Sequence, residues 1–239
     1  MKKLHFVFAL LVALFCSSCS NEPSIITTVD KIADGEWQCF TKEFGLLAPK
    51  SAELRIAADT KYWLFVNGEL VVREGGLKRG PNPTDSYCDV LNEVPNLKFG
   101  KNRVVVLVQY YGRDSYSHRV SAVPGLYFDM TTPLRRIVSD DTWQAVRYDA
   151  MWQPAHEHNP GGLRKYRLAG ANVGYDARKA LDFSGDIDTK SWDKAVIVER
   201  EESEWGNFVV RPIPFWRWSE LCSYESQQWN GRELVCKLP

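Results

Sequence analysis

DTKYWLFVNGELVVREGG, residues 59–76, decides the fold class. Tyr62-Trp63-Leu64-Phe65-Val66 is apolar on both faces, runs into Asn67-Gly68 and leaves through Leu70-Val71-Val72. A type I′ turn needs positive φ at both central residues, which Asn-Gly tolerates, so the stretch predicts a tight β-hairpin. Upstream, residues 53–58 alternate, with Leu54 and Ile56 apolar about Arg55. Downstream, Gly100-Lys101-Asn102 turns the chain into Val104-Val105-Val106-Leu107-Val108-Gln109-Tyr110. That β-branched run has no polar face, and such a strand must be covered on both sides. Further strands are expected at 126–130, 136–138, 143–146 and 195–198, with Asp140-Asp141 turning the chain between two of them. Amphipathic helices are absent; residues 176–181 suit a turn or two, and 89–97 a short helical turn cut by Pro95. Many short strands between Gly, Pro, Asn and Asp predict an all-β protein, an antiparallel sandwich or jelly roll.

Composition agrees with a globular chain. Of 239 residues, 44% are hydrophobic and only 16 are Gly, which excludes disordered and collagen-like classes. Thirty Lys and Arg balance thirty Asp and Glu without basic blocks, so nucleic acid is not an expected partner.

The first residues read as an export signal. Met1-Lys2-Lys3 is positive, and the apolar run 6–15 is too short to cross roughly 30 Å of hydrocarbon as a helix. Ser17-Ser18-Cys19 then resembles the end of a bacterial lipoprotein signal, which implies acylation of Cys19. Cys16 stands where such signals usually carry Leu, and an ordinary cleaved signal is the alternative. The expected layout is a signal at 1–18, a tether at 19–35, and a protein exported and lipid-anchored to the outer membrane, on its periplasmic or cell-surface face. Cys39, Cys88, Cys222 and Cys236 remain; their spacings match no metal or disulfide framework, so mostly free, buried thiols are expected.

After a sandwich at 36–205, Arg211-Pro212-Ile213-Pro214 marks a connector at 206–218, since its prolines give no ladder donors. Residues 232–238 read as a further strand. Either it pairs back into the sandwich, or residues 219–239 begin a second, incomplete β-domain; the connector favours the second reading.

The stretch at 59–76, LKRGPNPTDSYCDV at 77–90 and NLKFGKNRVVVLVQYYG at 96–112 together resemble the N-terminal β-sandwich of bacterial α-L-rhamnosidase-like glycoside hydrolases. SDDTWQA at 139–145, YDARKALDF at 175–183, SWDKAVIV at 191–198 and WGNFVVRPIP at 205–214 follow in the same order. The resemblance implies a galactose-binding-like jelly roll, then another β-sandwich and an (α/α)6 barrel that holds the carboxylates of an inverting glycosidase. No long helical periodicity is present here, so no catalytic residue carries over. The function implied is that of an accessory, carbohydrate-binding-like part without the barrel; the alternative is a stand-alone surface glycan-binding lipoprotein. Expected partners are a glycan, rhamnose-containing on this resemblance, a lipid anchor, and a catalytic domain packed alongside. No cofactor is expected.

Sugar sites combine an aromatic platform with polar groups for hydroxyls. At the end of the strongest strand, Tyr111, Arg113, Asp114, Tyr116 and His118 offer that mixture in one loop. The simpler reading of that loop is tyrosines closing the edge of the core. Pro81-Asn82-Pro83-Thr84-Asp85, with Lys78 and Arg79, would flank it or form a structured turn. His156-Glu157-His158 puts two imidazoles at alternate positions, but Pro and Gly surround it and no third ligand stands out, so no metal site is expected. Trp63, Trp143 and Trp192 fit core positions, whereas Trp216 and Trp218 suit an interface. No G-x-S-x-G elbow or Ser/His/Asp triad is indicated.

Overall fold

A computed structural model describes residues 22–49, 51–76, 82, 85–112, 114, 119–121, 123–153, 173–199, 205–217 and 223–237. Its strands are β1 (Ile25–Thr27), β2 (Trp37–Leu46), β3 (Glu53–Asp59), β4 (Lys61–Val66), β5 (Glu69–Gly75), β6 (Ser86–Leu91), β7 (Gly100–Gln109), β8 (Gly125–Thr131) and β9 (Arg136–Val138). Then come β10 (Gln144–Arg147), β11 (Met151–Trp152), β12 (Gly174–Tyr175), β13 (Asp193–Lys194), β14 (Val196–Val198), β15 (Phe208–Val210), β16 (Ser226–Trp229) and β17 (Leu234–Lys237). Two sheets form the sandwich. One runs β14-β1-β8-β3-β6-β15, with β9 also against β8; the other runs β13-β10-β2-β7-β4-β5.

The hairpin forms where the sequence places it. Asn67 has φ 51° and Gly68 φ 91°, both in the left-handed region the turn demands. Asn67 also ties the turn to β7, since its Oδ1 accepts from Arg103 N–H at 2.9 Å and its Nδ2 donates to Asn102 Oδ1 at 2.9 Å. β7 is central, pairing with β2 from Trp37↔Gln109 to Leu46↔Gly100 and with β4 from Lys61↔Gln109 to Val66↔Val104.

Both faces of β7 are covered. Val104, Val106 and Val108 meet Phe40, Ile56, Leu64, Phe128 and Trp143 between the sheets. Val105 and Leu107 point the other way, against Trp37, Cys39 and Tyr148, beneath Leu181, Phe183 and Trp192. Phe183 packs on Phe65 with ring centroids 4.6 Å apart, and Trp63 on Trp37 at 4.9 Å. The outer face of the other sheet is closed more lightly, by Ala57, Cys88, Ile25, Val198 and Trp205.

The structure departs from some expectations and agrees with others. Residues 89–91 stay in β6, paired with β3, and no helical turn forms at 89–97; Asn96 instead takes φ 63° after Pro95. Ile25–Thr27, inside the expected tether, and Phe208–Val210, inside the expected connector, are sandwich strands, so the sheet extends on both sides of 36–205. The turn at 176–181 is a single 3-10 turn, Ala177–Lys179, with Asp176 as its cap. β17 pairs with β16 in a two-stranded sheet of their own rather than with the sandwich. Trp143 is fully buried and Trp216 is exposed, while Trp218 lies outside the described residues.

A buried ion pair fastens β15. Arg211 Nε lies 2.7 Å from Asp89 Oδ1, with side chains 6% and 1% exposed. Asp89 Oδ2 accepts from Tyr62 OH at 2.7 Å and Gly76 N–H at 2.9 Å, and the Arg211 guanidinium sits 4.2 Å from the Phe215 ring centroid. Burial pushes the Asp89 carboxyl above its ordinary range, while Arg211 and the two donors pull it back. Removing the cation strands that carboxylate, so Arg211→Met should cost about 3–5 kcal/mol at neutral pH in urea titrations. The loss should shrink in acid, where Asp89 takes up a proton and no longer needs the cation; a pH-independent loss below 1 kcal/mol would count against the clamp.

Cys39 and Cys88 are free and buried, and Cys236 is free and half-exposed. Burial raises the Cys39 thiol far above its usual range and lifts Cys88 to about 11. In the native protein at pH 8, mass spectrometry should find iodoacetamide on Cys236, with Cys39 and Cys88 modified only after unfolding. Rapid native labelling of Cys39 would contradict this packing.

Candidate functional site

The loop after β7 is anchored from below. Asp59, at the end of β3 and fully buried, accepts at Oδ2 from the Ser121 N–H at 2.7 Å and from the Ser121 hydroxyl. Its Oδ1 accepts from Thr60 Oγ1 at 3.0 Å, and Thr60 Oγ1 in turn accepts from Tyr111 N–H at 3.0 Å. Both ends of the 111–121 segment are therefore pinned to the β3–β4 corner.

That anchoring changes the roles expected of the loop. Tyr111 is 2% exposed and presents no ring face to a sugar; burial raises its phenol, with Lys61 opposing. Tyr110, 5% exposed, is likewise pushed up to about 12 by burial. These two tyrosines close the core edge. Asp114 is exposed, and its Oδ1 accepts from Val120 N–H at 2.9 Å, bracing the loop across its own base. Arg113, Tyr116 and His118 lie outside the described residues, as do Lys78, Arg79, His156, Glu157 and His158. Asn82 Nδ2 donates to Asp85 Oδ2 at 2.7 Å, and Pro81, Pro83 and Thr84 lie outside the described residues.

Buried carboxylates elsewhere hold structure together. Asp89 faces Arg211, and Asp129 is bidentate with Arg136 at 2.8 and 3.0 Å. An acid and base flanking a glycosidic bond must instead face a shared cleft.

A cleft does open next to the Tyr110–Gly112 turn. Gly35 N–H donates to Tyr110 O, Gln153 N–H donates to Gly35 O, both at 2.9 Å, and Tyr148 N–H donates to Trp37 O at 2.8 Å. These bonds lay the chain after β10 along the start of β2. The cleft holds about 270 Å³ and is lined by Glu36, Arg147, Tyr148, Asp149, Met151, Trp152 and Lys179. Trp152 is 43% exposed in the β11–β12 ribbon, where it pairs with Gly174. Its indole lies against that glycine so closely that a Cβ there would come within 2.3 Å of the ring.

Three of the four charged groups are fixed by their own partners. Arg147 Nε donates to Asp149 Oδ1 at 2.8 Å, and Glu36 Oε2 accepts from Ala33 N–H at 2.7 Å. Lys179 rides on the 3-10 turn, whose cap Asp176 is bidentate with Arg178 at 2.9 and 2.8 Å. Tyr148 forms the floor, its hydroxyl accepting from Leu181 N–H at 3.4 Å and its phenol raised by burial. Sequence reading missed this site because its residues come from separate segments, none with a motif. Its one local signal is Met151-Trp152, an apolar pair just past a strand end.

No family model matches this chain, and no curated protein matches it. Its fold is similar to part of several solved rhamnosidases. Against the GH78 family rhamnosidase of Bacillus sp. GL1 the TM-score is 0.65 at 24% identity, covering 82% of this chain and 20% of that one. Against the α-L-rhamnosidase of Dictyoglumus thermophilum it is 0.59 at 21% identity, covering 81% and 22%. Against the α-L-rhamnosidase of Aspergillus terreus it is 0.54 at 19% identity, covering 75% and 21%. This chain thus spans about a fifth of the length of those proteins. At these identities the shared property is the fold: this chain is a β-sandwich like the one that forms a region of GH78 α-L-rhamnosidases.

Proposed function

We propose that this chain is the accessory, carbohydrate-binding-like β-sandwich of an α-L-rhamnosidase-like glycoside hydrolase, with cleavage carried by a separate (α/α)6 barrel. The observation that supports it best is the likeness over 82% of this chain to only 20% of the Bacillus rhamnosidase. A sandwich of that kind serves hydrolysis by holding a glycan, so that the second encounter, with the cleaving site, occurs at high effective concentration. Purified protein should bind rhamnose-containing glycans on an array and release no nitrophenol from nitrophenyl α-L-rhamnoside. Turnover in the ordinary enzyme range, about 1–10³ s⁻¹, would overturn the assignment of cleavage to another domain.

The N-terminal residues favour a second element of this reading, in which acylated Cys19 holds the sandwich at the outer membrane. One acyl chain binds only marginally, so stable attachment requires at least two, which a diacylated cysteine supplies. Labelled palmitate fed to an expressing bacterium should appear in the full-length protein and vanish in Cys19→Ala. An unlabelled wild-type protein would leave the ordinary cleaved signal. A stand-alone glycan-binding lipoprotein shares the anchor and the binding, and differs in needing no barrel.

A further inference from the structure

We propose that the cleft beside Trp152 is a glycan subsite for one neutral pyranose, with the ring's C–H face on the indole and its hydroxyls on Arg147, Asp149, Glu36 and Lys179. The proposal rests on the carbohydrate-binding reading and gives it a place and a ligand class.

Four observations carry it. First comes size: pockets for drug-sized ligands run roughly 300–1,000 Å³, so about 270 Å³ takes a single sugar ring and leaves the rest of a chain outside. Second, the platform is exposed. Trp152 keeps 43% of its surface in water although apolar area is costly to expose, and its indole rests against Gly174, in the space a side chain there would fill. Third, the charges balance. Two cations and two carboxylates line the cleft, a mixture that serves hydroxyls, since each hydroxyl both donates and accepts. The same zero sum provides no drive for a uronate or a phosphate ester.

Fourth, three of the four charged groups are ordered before a ligand arrives. Arg147 is held by Asp149, Glu36 by the Ala33 N–H, and the turn carrying Lys179 by its Asp176 cap. Binding therefore freezes few side chains, which matters when a single ring supplies little contact area. The geometry differs from that of the 111–118 loop, whose described tyrosine is buried beneath the surface. Here the aromatic face and the polar groups share one opening.

Calorimetry and saturation-transfer NMR on the full chain test the assignment, with methyl α-L-rhamnoside, methyl β-D-galactoside and galacturonate as probes. A neutral glycoside should bind with Kd on the order of 1 mM, the range expected of one sugar ring. Trp152→Ala and Arg147→Ala should each weaken that binding at least tenfold, Trp152→Phe should restore most of it, and Trp216→Ala should leave it unchanged. Thermal melts of all variants establish that they fold; if Trp152→Ala does not, Lys179→Ala on its exposed turn supplies the same comparison. Neutral binding that survives both Trp152→Ala and Lys179→Ala would overturn the cleft and leave the carbohydrate reading standing. Preference for galacturonate would overturn the ligand class, and no binding by wild type to any probe or to a glycan array would overturn both.

Discussion

Strand β7 carries the constraint from which the remaining architecture follows. Five consecutive apolar residues, 104–108, give it no side that water can face, so the protein has to supply a layer above and a layer below. The layer on one side is the other sheet, with Phe128, Ile56 and Trp143 filling the interior. On the opposite side, among the described residues, the cover is the irregular stretch 180–192, which lays Leu181, Phe183 and Trp192 across Val105 and Leu107, joined by Met151 of the β11–β12 ribbon. Irregular chain placed there must have its backbone satisfied locally, and Asp176, Asp182 and Asp188 do this by accepting from N–H groups two residues on. The cleft exists at the edge of this cover, where the 3-10 turn meets the β11–β12 ribbon.

Polar burial follows the same logic on a smaller scale. Asp59, at the end of β3, and Asp89, within β6, fasten neighbouring loops to the sandwich, and each receives several donors. Their chemistry is structural: a carboxylate surrounded by protein donors has no free face for a substrate. The cleft beside Trp152 differs because its one described ion pair, Arg147 with Asp149, lies at the rim and keeps exposed surface. A sandwich whose interior acids are committed and whose rim is mixed in charge is suited to holding a sugar.

Much of the fold was legible because its signals are local. Asn67-Gly68 specified the hairpin, the alternation at 53–58 specified β3, and residues 136–138 formed the strand their pattern indicates. The misreadings have a common cause, namely partners distant in sequence. Phe208-Val209-Val210 resembled the start of a connector because nothing nearby shows that Arg211 will find Asp89. Ile25-Ile26-Thr27 resembled a tether because β14 and β8 are needed to make it a strand. The 111–118 stretch has the composition of a sugar site, and composition does not reveal that Tyr111 turns inward. The Trp152 cleft was invisible for the opposite reason: Glu36, Arg147 and Lys179 become neighbours only after β2, β10 and the 3-10 turn have docked.

Hydrogen–deuterium exchange with and without a rhamnose-containing oligosaccharide tests the account most directly, because it reads every segment at once. Slowed exchange is expected at residues 147–152 and 173–179, with the 111–121 segment unchanged. Protection confined to 111–121, with the Trp152 ribbon untouched, would contradict it.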